Sequence, residues 1–138
     1  MEEKDIAVLI RKALEARKKA YTPYSHFKVG ACLRTKDGAD YTGCNIENAG
    51  YTATNCAERT AFFKAVSEGK KDFEGIAIVG GYENISDLCP PCGVCLQVMM
   101  EFCNPEKFKV ILAKSEKEYE VVSLKELLPR GFGPSSLA

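Results

Sequence analysis

The sequence predicts an α/β fold because it contains two continuous apolar runs and because helices and strands alternate along it. The segments "GIAIVGG" at residues 75–81 and "FKVILA" at 108–113 are continuous apolar runs, as expected of strands that are buried on both faces. A segment with helical character precedes each run, so helices and strands alternate along the chain. This alternation is typical of parallel strands in one sheet, with right-handed crossovers and helices packed on the sheet. The length of 138 residues suits a single domain with one core.

The chain begins with a predicted helix and a predicted hairpin. Residues 4–20 carry apolar side chains at helical spacing, which indicates an amphipathic helix. From Phe27 to Arg34, apolar side chains occupy every second position, which predicts a strand. The turn "KDG" at 36–38 leads into a second strand at about 39–45, so the two strands form a hairpin.

Two further helices are placed where ligands usually bind in such a fold. They are predicted at 56–68, where Gly69 is a natural stop, and at about 92–103. In the parallel arrangement both helices begin at the carboxyl edge of the sheet, where open α/β sheets bind ligands. The loop at 45–55 leaves a strand at the same edge. We therefore expect the two helix starts and this loop to lie near one another.

The last part of the chain is predicted to be short and irregular. After the buried strand at 108–113 come a short strand at 118–122 and a short helix in "SLKELL". The tail "PRGFGPSSLA" at 129–138 is rich in Pro, Gly and Ser. Composition alone predicts a mobile terminus there.

Composition excludes several classes of function. Lys plus Arg equals Asp plus Glu at 19 each, so there is no basic surplus for gripping a phosphate backbone. No apolar run approaches the ~20 residues of a membrane span, and the acidic start "MEEKDIAVLIRK" does not resemble a secretory signal. Seven cysteines cannot all be paired. We expect a reduced, cytoplasmic protein whose thiols are free or bound to metal.

The cysteines at the two helix starts are the strongest chemical signal. Cys56 begins one helix, while Cys92 and Cys95 lie on the first turn of the other. Helix amino ends favour thiolates, so these side chains could form a three-thiolate zinc site with one open position. Glu58 would then lie beside the open position as a general acid and base.

Each of these residues also has a structural alternative. Cys89 could be a fourth zinc ligand, which would close the site, although the two prolines after it set backbone torsions that aim it away. Asn55 and Glu58 have the spacing of a capping box, in which the glutamate reaches back to a backbone N–H. On spacing alone, capping and catalysis by Glu58 are equally favoured.

The motifs "CAE" at 56–58 and "PCGVC" at 91–95 resemble the signature of the zinc-dependent nucleoside deaminases. The segments "YSHFKVGACL", "NIENAGY", "CAERTAFFKAV", "CGVCLQVMMEF" and "LLPRGFGPSSL" resemble, in order, the blocks of the small homotetrameric cytidine deaminases. The resemblance covers nearly the whole chain. It implies a three-layer α/β/α sandwich with a five-stranded mixed sheet. It also implies hydrolytic deamination of cytidine and deoxycytidine to uridine and deoxyuridine, with release of ammonia, in pyrimidine salvage.

The resemblance also implies roles for individual residues. One Zn²⁺ per subunit is held by Cys56, Cys92 and Cys95, and Glu58 moves protons during attack on C4 of cytosine. The positions that match substrate contacts of the family are Phe27 and Phe132 on the base, Asn45 and Glu47 at the ribose 3′-hydroxyl, Tyr51 near the ribose, and Ala57 at the pyrimidine edge. The tail at 129–138 would bring Phe132 to the active site of a neighbouring subunit in a homotetramer.

Charge balance around the metal is a further expectation. Three thiolates around a dication leave a net negative shell, which opposes acidification of a bound water. Arg59 matches a family arginine that hydrogen-bonds the cysteine sulfurs, and the less favoured alternative is a solvated charge on the helix. Many relatives carry a second arginine after the last cysteine, where this chain has Leu96.

Three other functions stay open at this point. A related deaminase could act on a cytosine-bearing antibiotic of the blasticidin type, but Asn45, Glu47 and the tail favour a plain nucleoside. A non-enzymatic zinc module would use Cys89 as its fourth ligand. A polynucleotide editor is the least favoured, because zero net charge gives no steering and Glu47 would repel a 3′-phosphate.

Overall fold

A computed structural model of the protein describes all residues from 1 to 138. Its centre is one five-stranded sheet with the strand order β2-β1-β3-β4-β5. The strands are β1 (Lys28–Thr35), β2 (Asp40–Cys44), β3 (Phe73–Gly81), β4 (Lys109–Ala113) and β5 (Tyr119–Ser123). β3 and β4 are parallel, whereas the other three neighbouring pairs are antiparallel. The predicted five-stranded mixed sheet is therefore confirmed.

Helices cover both faces of the sheet and complete the three layers. They are α1 (Glu3–Arg17), α2 (Ala57–Ser67), α3 (Gly93–Phe102) and the short α4 (Leu124–Leu127). Alternate side chains of the central strands point to opposite faces and join two separate apolar clusters. α1 packs in one cluster, and α2, α3 and α4 pack in the other. The three-layer α/β/α prediction is confirmed, with α1 ending three residues earlier than expected, at Arg17 rather than residue 20.

The cluster beneath α2 and α3 is built around aromatic rings. Phe62 of α2 is fully buried, and its ring lies 5.0 Å from that of Phe73 at the start of β3. Phe108, just before β4, packs on the same ring at 6.0 Å. Burial of each such side chain contributes roughly 2 kcal/mol. These contacts hold α2 firmly against the sheet.

Strand direction brings the starts of α2 and α3 to one edge of the sheet. Because β1 is antiparallel to both β2 and β3, the strands β2, β3 and β4 all run the same way. α2 follows the loop after β2, and α3 follows the loop after β3. Gly43 permits the close approach of α2 to β2, since a Cβ there would lie 2.3 Å from the carbonyl oxygen of Ala57.

None of the helices is both long enough and apolar enough to cross a membrane.

Candidate active site

Three cysteine sulfurs converge where the two helices begin. Cys56 is the N-cap of α2, Cys92 is the N-cap of α3, and Cys95 lies in the first turn of α3. Their Sγ atoms all lie within 4.8 Å of one another, and those of Cys56 and Cys92 are 3.7 Å apart. The structure thus brings together the three predicted ligands, as the strand directions led us to expect.

This cluster has the dimensions of a zinc site. A tetrahedral zinc with Zn–S bonds of ~2.3 Å holds its sulfurs about 3.8 Å apart, close to the 3.7 Å between Cys56 and Cys92. Three thiolates leave one of the four coordination positions open. Cys92 is exposed while Cys95 is buried, so the cluster lies at the surface of the core rather than inside it.

Cys89 lies outside the cluster. Its Sγ packs on β3 instead, 2.8 Å from the position that a Cβ on Gly80 would occupy. Burial raises the pKa of Cys89 to about 11, so it stays a thiol at neutral pH. Burial likewise raises the pKa of Cys103, which lies away from the cluster, as expected of cysteines that only pack. The structure therefore supplies three mutually close sulfurs, not four.

Arg59 is the cation that faces the sulfurs. Its Nη2 donates a hydrogen bond of 3.2 Å to Sγ of Cys56, while its buried Nε has no partner. The pKa of Cys56 is lowered to about 5, chiefly by a hydrogen bond from the Cys95 thiol, with Arg59 and Cys92 adding to the effect. The same hydrogen bond raises the pKa of Cys95. Between Cys56 and Cys95 the contact therefore favours one thiolate, and a bound dication would favour thiolates at all its ligands.

Glu58 is a buried carboxyl group beside this cluster. Only 4% of the residue is exposed, and burial raises its pKa to about 7. A carboxyl group with a near-neutral pKa can accept and donate a proton at the same pH, as a proton shuttle must.

The capping box considered for Asn55 and Glu58 does not form. The helix begins one residue later than that box requires, with Cys56 rather than Asn55 as its N-cap. Asn55 instead donates from its side-chain amide to Oγ1 of Thr60, at 3.1 Å. Thr60 in turn donates to the carbonyl of Cys44, which ties the first turn of α2 to the end of β2.

Glu47 lies in the loop after β2, in a cradle of hydrogen-bond donors. Its Oε1 accepts from the backbone N–H groups of Tyr24 and Ser25, at 3.0 and 3.1 Å. Its Oε2 accepts from the Ser25 hydroxyl. The carboxylate borders an open cleft of about 430 Å³ that is lined by Tyr24, Ser25, Glu47, Asn48, Tyr51 and Thr54.

Asn45 links this loop to the start of β1. Its Oδ1 accepts from the backbone N–H of Val29 at 2.9 Å, and its Nδ2 donates to the carbonyl of Phe27 at 2.8 Å. One N–H of the amide stays available for a ligand. The ring of Phe27 is half-buried and meets that of Tyr82 edge to face, with centroids 5.2 Å apart.

The remaining predicted substrate residues are not gathered into one closed pocket. Ala57 is fully buried at the start of α2, whereas Tyr51 is 83% exposed and Phe132 is 57% exposed. The tail is held against α3 of its own chain, because Gln97 donates to the carbonyl of Phe132 at 2.8 Å. The Phe132 ring pairs with no other aromatic ring in the chain. More than half of its surface is therefore left exposed.

Sequence reasoning missed Ser25, Tyr82 and Gln97. A serine two residues before Phe27 is a recognisable turn signal, since its hydroxyl can bond the backbone two residues on, as it does here at 3.0 Å. Tyr82 and Gln97 carry no such signal, because their partners are distant in sequence.

Comparison with known proteins gives a consistent result. Residues 3–112 match the family model described as the cytidine and deoxycytidylate deaminase zinc-binding region. The chain is 46% identical over 134 residues to a cytidine deaminase of Sporosarcina psychrophila, covering 97% of this chain and 96% of that one. It is 49% identical over 128 residues to a cytidine deaminase of Halalkalibacterium halodurans, covering 93% and 94% of the two chains.

Solved structures show the same similarity. A crystal structure of cytidine deaminase from Burkholderia pseudomallei superposes with a TM-score of 0.81 at 46% identity, over 91% of this chain and 97% of that one. The cytidine deaminase of Mycobacterium tuberculosis superposes with a TM-score of 0.77 at 35% identity, over 91% and 95%. The family model's zinc-binding region and the geometry of the cysteine cluster indicate the same metal.

The sulfur cluster predicts which cysteines zinc requires. Cys95→Ser should abolish zinc binding, because a neutral hydroxyl replaces one of three thiolates. Cys89→Ser serves as the matched control and should retain zinc, because its sulfur packs on Gly80. Metal content is measured by mass spectrometry, and X-ray absorption should find three sulfurs and one light atom. Four sulfurs, or loss of zinc in Cys89→Ser, would contradict this ligand set.

Proposed function

The chain belongs to the cytidine and deoxycytidylate deaminase family, and on that basis we propose that it hydrolyses cytidine and deoxycytidine to uridine and deoxyuridine in pyrimidine salvage. One catalytic domain spans residues 1–138 and binds one zinc ion on Cys56, Cys92 and Cys95. The observation that carries the proposal is a buried Glu58 with a near-neutral pKa beside three convergent sulfurs. That combination suits hydrolysis of a C–N bond on a ring.

Proton transfer is the main task of Glu58 in this reaction. Zinc, when bound, would supply a water of lowered pKa as the nucleophile. Glu58 takes a proton from the water that adds to C4 and delivers it to N3, which prevents negative charge from building up on the ring. The second proton, transferred through Glu58, then leaves with the C4 amine as ammonia when the C–N bond breaks. Water and cytidine thus become uridine and ammonia.

Arg59 offsets the negative charge of the thiolates. It is the side-chain cation that hydrogen-bonds a sulfur of the cluster. Leu96, where many relatives have arginine, is 8% exposed and packs in the core beneath α3. The two helix amino ends add partial positive charge at Cys56 and Cys92. Because position 96 provides no second arginine, Arg59 offsets a larger share of the thiolate charge in this chain.

The loop after β2 suits the ribose of a free nucleoside. Glu47 offers a carboxylate acceptor at the open cleft, and Asn45, two residues earlier in the same loop, retains one N–H donor. Phe27 provides an apolar ring for the base, with Tyr51 at the cleft. A carboxylate at the 3′-hydroxyl would repel a 3′-phosphate, which disfavours a polynucleotide substrate.

Exposed tail residues support assembly into a homotetramer with shared sites. Phe132 and Leu137 are 57% and 80% exposed although both are strongly apolar. Docking them on a second subunit would remove this surface from water. Phe132 of the tail at 129–138 would then cover the base in the neighbouring site. The seven free thiols suit a reducing compartment, so we place the enzyme in the cytoplasm.

The proton-shuttle role predicts the effect of Glu58→Gln. This variant should keep the fold and the zinc, while kcat on cytidine falls by at least about 100-fold, because the amide can neither take nor give the proton. Glu101→Gln, on the exposed face of α3 and without a hydrogen-bond partner, is the matched control and should leave kcat unchanged. Loss of cytosine absorbance measures the rate. Near-normal turnover in Glu58→Gln would remove the catalytic assignment.

A panel of related compounds tests the substrate class. Cytidine and deoxycytidine should both react, whereas 3′-CMP should be slower by on the order of 10⁴-fold, because Glu47 would meet a phosphate in place of a hydroxyl donor. Deoxycytidylate is included because the family also covers deaminases that act on it. Equal rates on 3′-CMP and cytidine would show that Glu47 does not lie at the ribose. A preference for deoxycytidylate would change the substrate to a nucleotide.

Mixing two inactive chains tests the shared site. Glu58→Ala and Phe132→Ala should each be poorly active alone. If Phe132 acts across a subunit boundary, co-refolded oligomers contain sites in which both residues are intact, and part of the activity returns. The control mixes Phe132→Ala with a chain that carries both Glu58→Ala and Phe132→Ala, because that mixture contains no Phe132. If co-refolding gives only the average of the two parents, the tail acts within its own subunit.

A further inference from the structure

We propose that Ser25 is a positioning residue, whose hydroxyl fixes the Glu47 carboxylate for one ribose hydroxyl and ties it to the backbone beside Phe27. The inference rests on the proposed function, in which Glu47 meets the ribose and Phe27 meets the base. Ser25 lies in the turn between α1 and β1, whereas Glu47 lies in the loop after β2. Their contact therefore joins two separate segments of the cleft.

The hydrogen bonds leave the carboxylate one free acceptor position. A carboxylate has about four lone-pair sites, two on each oxygen. Two backbone N–H donors occupy Oε1 of Glu47, and the Ser25 hydroxyl occupies one site on Oε2. The hydroxyl must be the donor, because an ionised carboxylate only accepts. Oε2 thus presents a single acceptor with a fixed direction, which suits one hydroxyl donor of a ligand.

The same hydroxyl also reaches the backbone beside the base-binding ring. Oγ of Ser25 accepts a hydrogen bond of 3.0 Å from the backbone N–H of Phe27. The intervening His26 has a φ of 62°, which is uncommon for a residue other than glycine and allows the turn to close. One oxygen atom therefore connects the predicted ribose contact to the predicted base contact.

A purely structural role would not require this arrangement. Ser25 is exposed and packs in neither apolar cluster, so its side chain adds no packing to the core. Hydrogen bonds from Ser25 are also the largest influence that lowers the pKa of Glu47. The Ser25 hydroxyl thus stabilises the charged form of the Glu47 carboxylate and fixes the direction of that carboxylate at the cleft.

Steady-state kinetics with two matched substrates tests the inference. Ser25→Ala should lower kcat/KM for cytidine about tenfold, mainly through KM, because the Glu47 carboxylate is no longer fixed. On 3′-deoxycytidine, whose slow turnover is followed at high enzyme concentration, the same variant should match wild type within about twofold. Ser25→Thr retains the hydroxyl and should restore activity on cytidine. Ser67→Ala, whose hydroxyl bonds only the nearby Lys64 carbonyl, is the control.

Two outcomes would overturn the inference. An equal loss on both substrates would show that Ser25 supports the fold rather than the ribose contact. No loss on cytidine would show that Glu47 is held without it. In both cases wild type still deaminates cytidine, so the proposed function stands.

A measurement without substrate separates the two proposals. The carboxyl resonance of Glu47 is followed by ¹³C NMR against pH in wild type and Ser25→Ala. The pKa of Glu47 should rise in the variant, because the hydroxyl that stabilises the charged form is gone. An unchanged pKa would refute the contact even if wild type proved inactive on every cytosine compound. A raised pKa with an inactive wild type would instead refute the deaminase proposal alone.

Discussion

The meeting of two helix amino ends at one edge of the sheet is the constraint on which the site depends. It follows from strand direction, because β1 runs against both of its neighbours and so leaves β2, β3 and β4 parallel. Cys56 and Cys92 both occupy N-cap positions, which serine, threonine, asparagine and aspartate usually fill. Each helix therefore gives up a side-chain cap and places a sulfur there. A bound cation would offset the loss by holding both helix ends together.

Charge is the main influence on the groups around the sulfur cluster. The hydrogen bond between Cys56 and Cys95 moves their pKa values in opposite directions, so a bound cation would be needed for both to ionise. The same burial raises the pKa of Glu58 to about 7, so at neutral pH the group can both accept and return a proton. Arg59 can contact the sulfurs because it lies one turn after Cys56 on α2. A single helical turn thus carries one of the three sulfurs, a carboxyl group of near-neutral pKa and a counter-charge.

Local patterns were enough to predict the α/β class and the cysteine cluster, whereas the five-stranded mixed sheet was implied by the family resemblance. Periodicity, apolar runs and turn signals located the five strands and four α-helices but not the short 3-10 helices at Tyr51–Ala53 and Pro134–Ser136. Alternating strands and helices placed the starts of α2 and α3 at one edge. The capping box considered at Asn55 does not form because the backbone of Asn55 is bridged to Ile46 and its side-chain amide donates to Thr60, so the helix starts one residue later. Spacing along the chain contains no information about that contact. The resemblance to a known family marked Glu47, but neither it nor local spacing revealed the cradle contributed by Ser25.

The parts of the chain to which we assign chemistry and recognition are held in place by different kinds of contact. The sulfurs and Glu58 lie on helices fixed by an aromatic core, where a small displacement would cost packing energy. Glu47, Asn45 and Phe27 lie on loops or at a strand start and are ordered by hydrogen bonds between loops. Phe132 is held to its own chain by one backbone contact. The sulfur cluster and Glu58 are thus fixed by the packing of a single chain, whereas the Phe132 ring of that chain remains more than half exposed.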